Sequence, residues 1–264
     1  MAEENSYSIQ YARDKSLIMN FIGTHWKKDH ILAKNEELFD WQYQDKNKDR
    51  YNFLYAGTEN EVIGVLGFIP NTQFDEKKTA KIIWLALWKV IEDKYPGLGL
   101  RMLFKLFSEF PESVIAVNGI DKQVLDIYSR LDFKVNSLKH YYIVNSLHPT
   151  KLIKNPKYGT MKYKKAKDYT LERISEDDLL NDQSILPNIF GQYKSYVYII
   201  NRYIKHPFYR YKIFSLNSKN NVISLLIVRE ININDEKVFR VVDFFGEQWT
   251  IELLPPLLQA LIDK

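Results

Sequence analysis

Between Trp84 and Phe107 the chain offers one arrangement that few folds accommodate. Trp84-Leu-Ala-Leu-Trp88-Lys-Val90 reads as an apolar strand. Lys94-x-x-Gly97-x-Gly99 follows as a loop, and Leu100 to Phe107 carries apolar residues at helical spacing. A strand that turns through glycines into a helix directs the helix's first amides, and the positive end of its dipole, at one spot. That suits a pyrophosphate. Glycine has no Cβ to keep the oxygens away from the backbone. Gly-x-Gly alone is equally a plain helix-entry turn. A dinucleotide fingerprint is excluded because position 102 is Met, and no Walker loop occurs.

A second element lies downstream. Ser113-Val-Ile-Ala-Val-Asn118 reads as a strand, and Asp126-Ile-Tyr128-Ser-Arg-Leu-Asp132-Phe133 as the end of a helix. Together the two elements resemble the acyl-CoA core of the GNAT acyltransferase superfamily. That family has Arg or Gln before x-x-Gly-x-Gly, and a Tyr in a pattern like Tyr-x-x-x-Gly-Phe. Here Lys94 takes the first place, Pro96 removes one loop N–H, and Asp132 stands where Gly is usual.

The resemblance implies a mixed α/β fold, with twisted, mainly antiparallel sheets flanked by helices and strands that splay at the cofactor. It implies acetyl-CoA or another acyl-CoA as cosubstrate, with no metal. Trp88, Val90, Lys94, Gly97, Leu98, Gly99 and Leu100 would hold the cofactor, and Asn118 would bond its pantetheine arm. Tyr128 would protonate the leaving thiolate. A phenol within hydrogen-bond reach can do so, although a core Tyr packed under its helix is the plainer reading. A backbone N–H near Trp88 to Val90 would hold the oxyanion.

The chain also repeats itself. Tyr7 to Leu17 matches Tyr169 to Leu179 without a gap, each a short strand entering a helix with Asp14 or Ser175 near its start. The hairpin Tyr51–Ala56 with Val62–Ile69 has a counterpart in Tyr211–Leu216 with Val222–Val228, at an offset of 211 − 51 = 160. Lys81–Leu87 matches Lys237–Asp243, at 237 − 81 = 156. We read an ancient domain duplication; the plainer alternative is two α+β domains that share common strand–helix grammar. Residues 1–147 form the acyl-CoA domain, and 148–264 a degenerate GNAT-like one that lacks the glycine loop and whose last helix leaves no element to complete a second site. The linker is expected within Asn145 to Asp168, which holds His148-Pro149 and Asn155-Pro156.

For the acceptor, the resemblance implies Gly23 to His30 and Leu38 to Tyr43, the segment where this family usually forms its pocket. The strand before the loop offers Trp84 and Trp88 where the family often has a Glu, so a base is not evident. His30 titrates in the right range, but is as readily a capping residue. Asp75 and His140 are further candidates. Asp40, Trp41, Tyr43 and Trp84 are taken as substrate-binding, and Arg210 or Arg229 as a phosphate contact. Phe39-Asp-Trp-Gln-Tyr43, Gly64 to Pro70, Trp84 to Trp88 and His140 to Asn145 resemble a GNAT subgroup associated with bacterial surface polysaccharide synthesis. That implies N-acylation of an amino sugar, nucleotide-linked. An aminoacyl transferase of the FemX kind and a catalytically silent binding module remain as alternatives.

Composition sets the outer limits. The chain has 264 residues, a net charge of +4 and no cysteine, which excludes disulfides, thiolate metal sites and a Cys nucleophile. Lys162, Lys164, Lys165 and Lys167 read as a solvated linker rather than a nucleic-acid stripe. No apolar run approaches the roughly 18 residues of a membrane span, and the start is unlike a secretory signal. The expected partner is a small-molecule substrate in the cytoplasm, with no nucleic acid; a homodimer is left open.

Overall fold

A computed structural model describes residues 7–58, 61–77, 82–91, 95–145, 150–153, 166–181, 194–219 and 221–262. The chain packs as two compact units. The first runs to Lys134 and takes in Lys194 and His206–Phe208; the second holds the rest.

The first unit opens with β1 (Ser8–Tyr11) and the helices α1 (Lys15–His25), α2 (Ile31–Lys34) and α3 (Glu36–Tyr43). Asp14 caps α1 by accepting the Ser16 N–H at 2.8 Å, and Asn35 caps α3 through Leu38 N–H. A small hairpin, β2 (Gln44–Asp45) with β3 (Arg50–Tyr51), leads into β4 (Phe53–Gly57) and β5 (Val62–Pro70). Then come β6 (Ile82–Val90), α4 (Leu98–Glu109), β7 (Val114–Val117) and α5 (Lys122–Arg130). The sheet order is β1-β4-β5-β6-β7, antiparallel throughout except for the parallel β6–β7 pair.

The second unit contains β8 (Tyr169–Ile174), α6 (Glu176–Asn181), α7 (Tyr196–Ile199) running into a π turn over Ile200–Ile204, β9 (Tyr211–Ser218), β10 (Asn221–Ile233), β11 (Glu236–Gly246) and α8 (Leu254–Ile262). Ser175 Oγ caps α6 by accepting the Asp178 N–H at 3.0 Å. The antiparallel order β8-β9-β10-β11 reproduces β1-β4-β5-β6 strand for strand.

The repeat extends to an irregularity. Between β5 and β6, Gly67 pairs with Leu87 and Phe68 with Leu85, leaving Ala86 as an extra residue. Between β10 and β11, Ile227 pairs with Asp243 and Val228 with Val241, leaving Val242 extra. The two bulges are 242 − 86 = 156 residues apart, the same offset as the sequence match of these strands.

Both faces of the first sheet are covered. One packs against α1–α3 through Ile18, Ile22, Phe39, Tyr43, Phe53, Val65 and Leu87. The other receives α4, whose Leu98, Met102, Leu103 and Leu106 are buried. Two glycines of β5 allow this closeness. A Cβ at Gly64 would lie 3.0 Å from Val90 Cγ1 and 3.2 Å from Met102 Sδ, and one at Gly67 would lie 2.5 Å from the Phe53 ring. Gly67→Ala is therefore expected to lower stability by about 1–3 kcal/mol through overpacking. Urea denaturation checks it; an unchanged midpoint would mean that the Phe53 ring gives way freely.

Candidate functional site

The bulge at Ala86 determines what β6 presents. Strict alternation would put Trp84 and Trp88 on one face. The extra residue instead groups Trp84 with Leu87, opposite Ile69 and Gly67, and Trp88 with Leu85 and Val90, opposite Leu66, Phe68 and Gly64. Trp88 thus faces the side of α4, and Trp84 the side of α1–α3, where it is 37% exposed.

Next to the bulge the sheet opens. The β6–β7 ladder ends at Leu85–Val117, while β6 continues to Val90. Past that end, α4 is preceded by its cap residue Gly97, which has φ +77° and ψ 0°. This left-handed backbone is one that glycine enters without penalty, and nothing lies within 4 Å of where its Cβ would be. Leu98 N–H donates to the Tyr95 carbonyl and Arg101 N–H to Gly97. The Gly99 and Leu100 amides belong to the first turn, which has no preceding turn to donate to. Leu98 itself is buried in the core, with its Cδ2 beside Gly64. Lys94 lies outside the described residues.

Trp88 joins the loop to the second motif. A Cβ on Gly99 would be 3.0 Å from Trp88 Cζ2, so glycine is what lets the indole lie on the helix start. The indole also meets the Tyr128 ring edge-on, with 6.0 Å between centroids. Tyr128 is 2% exposed, and burial pushes its phenol up to about 12. It therefore stays protonated at neutral pH, in the form that donates.

The end of α5 fixes Tyr128. Phe133 N–H donates to the Tyr128 carbonyl at 3.1 Å and Asp132 N–H to Ser129 at 3.3 Å, a Schellman closure with Asp132 at φ +59°. The rings of Tyr128 and Phe133 pack edge-on, with centroids 5.0 Å apart. The residue standing where the family has Gly thus sits in the backbone region that favours Gly. Asn118 is exposed just beyond β7, followed by Gly119 at φ +73°.

On the α1–α3 side the candidates are differently engaged. Asp40 accepts Lys15 Nζ at 2.7 Å and the Tyr51 hydroxyl at 2.8 Å, and Lys15 also pairs with Glu36 at 2.9 Å. Tyr43 is fully buried, 4.5 Å from the Phe53 ring. Trp41 packs on Phe74 at 4.8 Å, and Gln73 donates to its carbonyl. His30 caps α2: its Nδ1 accepts the Leu32 N–H at 3.2 Å, which leaves the ring proton on Nε2. Burial, aided by the Lys27 charge, holds this imidazole below its ordinary range. Asp75 is buried and accepts the Lys77 N–H, His140 is exposed, and Arg210 is exposed in the second unit just before β9. Of the candidates, Trp88, Gly99 and Tyr128 are brought into one contiguous set. Alternation could not show the bulge that separates Trp88 from Trp84.

No protein-family model matches the chain, and no curated protein matches it by sequence. Solved structures do. A protein of Pyrococcus horikoshii, provisionally named an acetyltransferase, aligns over 100% of this chain and 79% of its own at 10% identity, with a TM-score of 0.53. A GCN5-related N-acetyltransferase of Anabaena variabilis aligns over 98% of this chain and 62% of its own at 11% identity, with a TM-score of 0.52. At these identities what is shared is the fold: the chain carries the GNAT fold, with both units inside the alignment. Among the described residues no helix is long and apolar enough to cross a membrane.

Replacing Asp132 by Gly is expected to stabilise the protein by about 0.5–1 kcal/mol, by relieving the left-handed backbone at the end of α5. A thermal melt reads it; a lower midpoint would mean that the Asp side chain contributes more than its backbone costs.

Proposed function

We propose that the chain is an acyl-CoA-dependent N-acyltransferase acting in the cytoplasm, with residues 1–147 as the catalytic domain and 148–264 as a degenerate GNAT-like partner. One observation carries the reading. The open end of β6, the Gly97 entry to α4 and the ring of Tyr128 are joined through a single side chain, Trp88.

The diphosphate of the donor sits on the first-turn amides of α4, and its pantetheine arm runs along β6 beyond Leu85, with Asn118 at the far side. The amine lone pair attacks the thioester carbonyl carbon, whose π electrons move to oxygen. A backbone N–H in the stretch from Trp88 to Val90 holds that oxygen. The intermediate collapses, the C–S bond breaks, and the sulfur takes the Tyr128 proton. Burial keeps that proton on the phenol until a thiolate develops beside it.

For the acceptor we favour the amine of an amino sugar, nucleotide-linked. The likeness of residues 20–145 to the polysaccharide subgroup supports it. So does Trp84, partly exposed on the α1–α3 face and able to stack on a sugar ring. His30 can take the amine's proton only after Nδ1 gives up its cap of α2. A second reading, a silent GNAT-fold binding module, draws on the engagement of both His30 and Asp40 by their own neighbours.

Two variants test the proposal. Gly97→Trp fills the open space over the loop and is expected to abolish acetyl-CoA binding in calorimetry while far-UV circular dichroism is unchanged; retained affinity would refute the loop assignment. Tyr128→Phe keeps the ring packing and removes the donor. Thiol release with a panel of amino-sugar nucleotides should then fall at least about tenfold in kcat, with acetyl-CoA affinity kept. Equal turnover would remove Tyr128 from the chemistry. Binding without turnover in the parent chain would favour the silent module.

A further inference from the structure

The repeat puts two arginines where the fold asks for none. Register sets Arg229 of β10 directly opposite Arg240 of β11, and Tyr211 of β9 opposite Arg229 on its other side, so the three share one face. In the first unit the aligned cross-strand pair is Ile69–Trp84, at offsets of 229 − 69 = 160 and 240 − 84 = 156. The same architecture is thus built with an apolar pair. Like charges directly opposite on neighbouring strands have Cβ atoms about 5 Å apart and destabilise the sheet.

More charge gathers on the same face. Arg202 comes from the π turn Ile200–Ile204, an insertion frequent at functional sites. Arg202 and Arg229 both act on the Tyr211 phenol, which burial drives up and the two guanidiniums pull back. The Arg229 guanidinium lies 4.2 Å over the Tyr209 ring, which limits the orientations of its fork. Register places three acids on this face: Asp243, which accepts from Tyr203 and whose charge acts on Tyr198 and Tyr203 together with that of Arg202, and Glu236 and Glu172, which accept from Thr150 and Thr170. Glu230 belongs to the opposite face, where Lys212 and Lys237 pair with it.

We propose that this face of the second sheet binds a phosphate-bearing ligand, with Arg229 and Arg240 sharing the phosphate between their forks and Arg202 adding charge from the π turn. Planar guanidiniums match phosphate oxygens two at a time. An anion between them turns a repulsive pair into a bridged one. The site lies wholly in the second unit and does not rest on the acyl-CoA reading. It gives the unit that lacks the glycine loop a ligand of its own.

The test uses the full chain in phosphate-free buffer, with inorganic pyrophosphate and, separately, uridine diphosphate as probes. Pyrophosphate is expected to raise the melting temperature and to give a calorimetric isotherm. Arg229→Lys keeps the charge but loses the fork, and should weaken affinity about tenfold, the scale of one charge-assisted hydrogen bond. Arg240→Gln should weaken it similarly and, with no anion present, melt higher than the parent because the repulsion is gone. Tighter binding of uridine diphosphate points to a nucleotide, and equal binding to the phosphates alone; either supports the site. No response in the parent chain, or variants that respond as the parent does, would overturn it. Gly97→Trp must keep the pyrophosphate response. If it loses that response, the anion sits in the α4 loop and this assignment fails while the acyl-CoA reading stands.

Discussion

One residue too many in β6 organises the first unit. β5 cannot match Ala86, so the strand turns over at that point, and the two tryptophans that flank the bulge emerge on opposite faces. Just before it, at Leu85, β6 and β7 part. A strand that leaves its neighbour exposes amides and carbonyls that a sheet would otherwise use. The fold places the start of a twelve-residue helix beside that opening, with glycine at its cap. Trp88 rests against both the helix start and the Tyr128 ring. Strict alternation through Ala86 would have put the two tryptophans on one face; with the bulge, only Trp88 faces α4 and the phenol.

The second unit keeps the strand order and the bulge but carries no second copy of the glycine loop. This separates what the sheet needs from what the site needs. The bulge recurs at Val242 with a different set of side chains around it. In place of an apolar pair the face carries Arg229 opposite Arg240, with tyrosines and a π turn nearby. The strand order and the backbone irregularity are common to both units; the side chains laid on them differ.

Much of this was legible in the sequence, for identifiable reasons. Asp14 and Ser175 announce their helices because a side-chain oxygen before an apolar run has one common use, to satisfy the first amides. The hairpins follow from alternating apolar runs about polar turns, and the offset of 156 between Lys81–Leu87 and Lys237–Asp243 is also the offset between the two bulges. What alternation cannot show is an extra residue. Trp84-Leu-Ala-Leu-Trp88 reads as regular, with both tryptophans on one side, and tertiary pairing decides otherwise. Asp132 stands where the family pattern has glycine, with φ +59° in the region that favours glycine. His30 and Asp40 attract notice as titratable groups, and only the folded chain reveals the cap and the lysine and tyrosine that engage them. Tyr43 sits in a segment of plausible ligand contacts, yet its ring is buried in the core against both Phe39 and Phe53.

The central claim is that the open end of β6 and the first turn of α4 together grip a thioester donor. Hydrogen–deuterium exchange of the intact chain, with and without acetyl-CoA, tests it most directly, because the amides assigned to the ligand are the ones it would protect. The account predicts slowed exchange concentrated in residues 86–90 and 97–100. Unchanged exchange in both segments at saturating acetyl-CoA would contradict it.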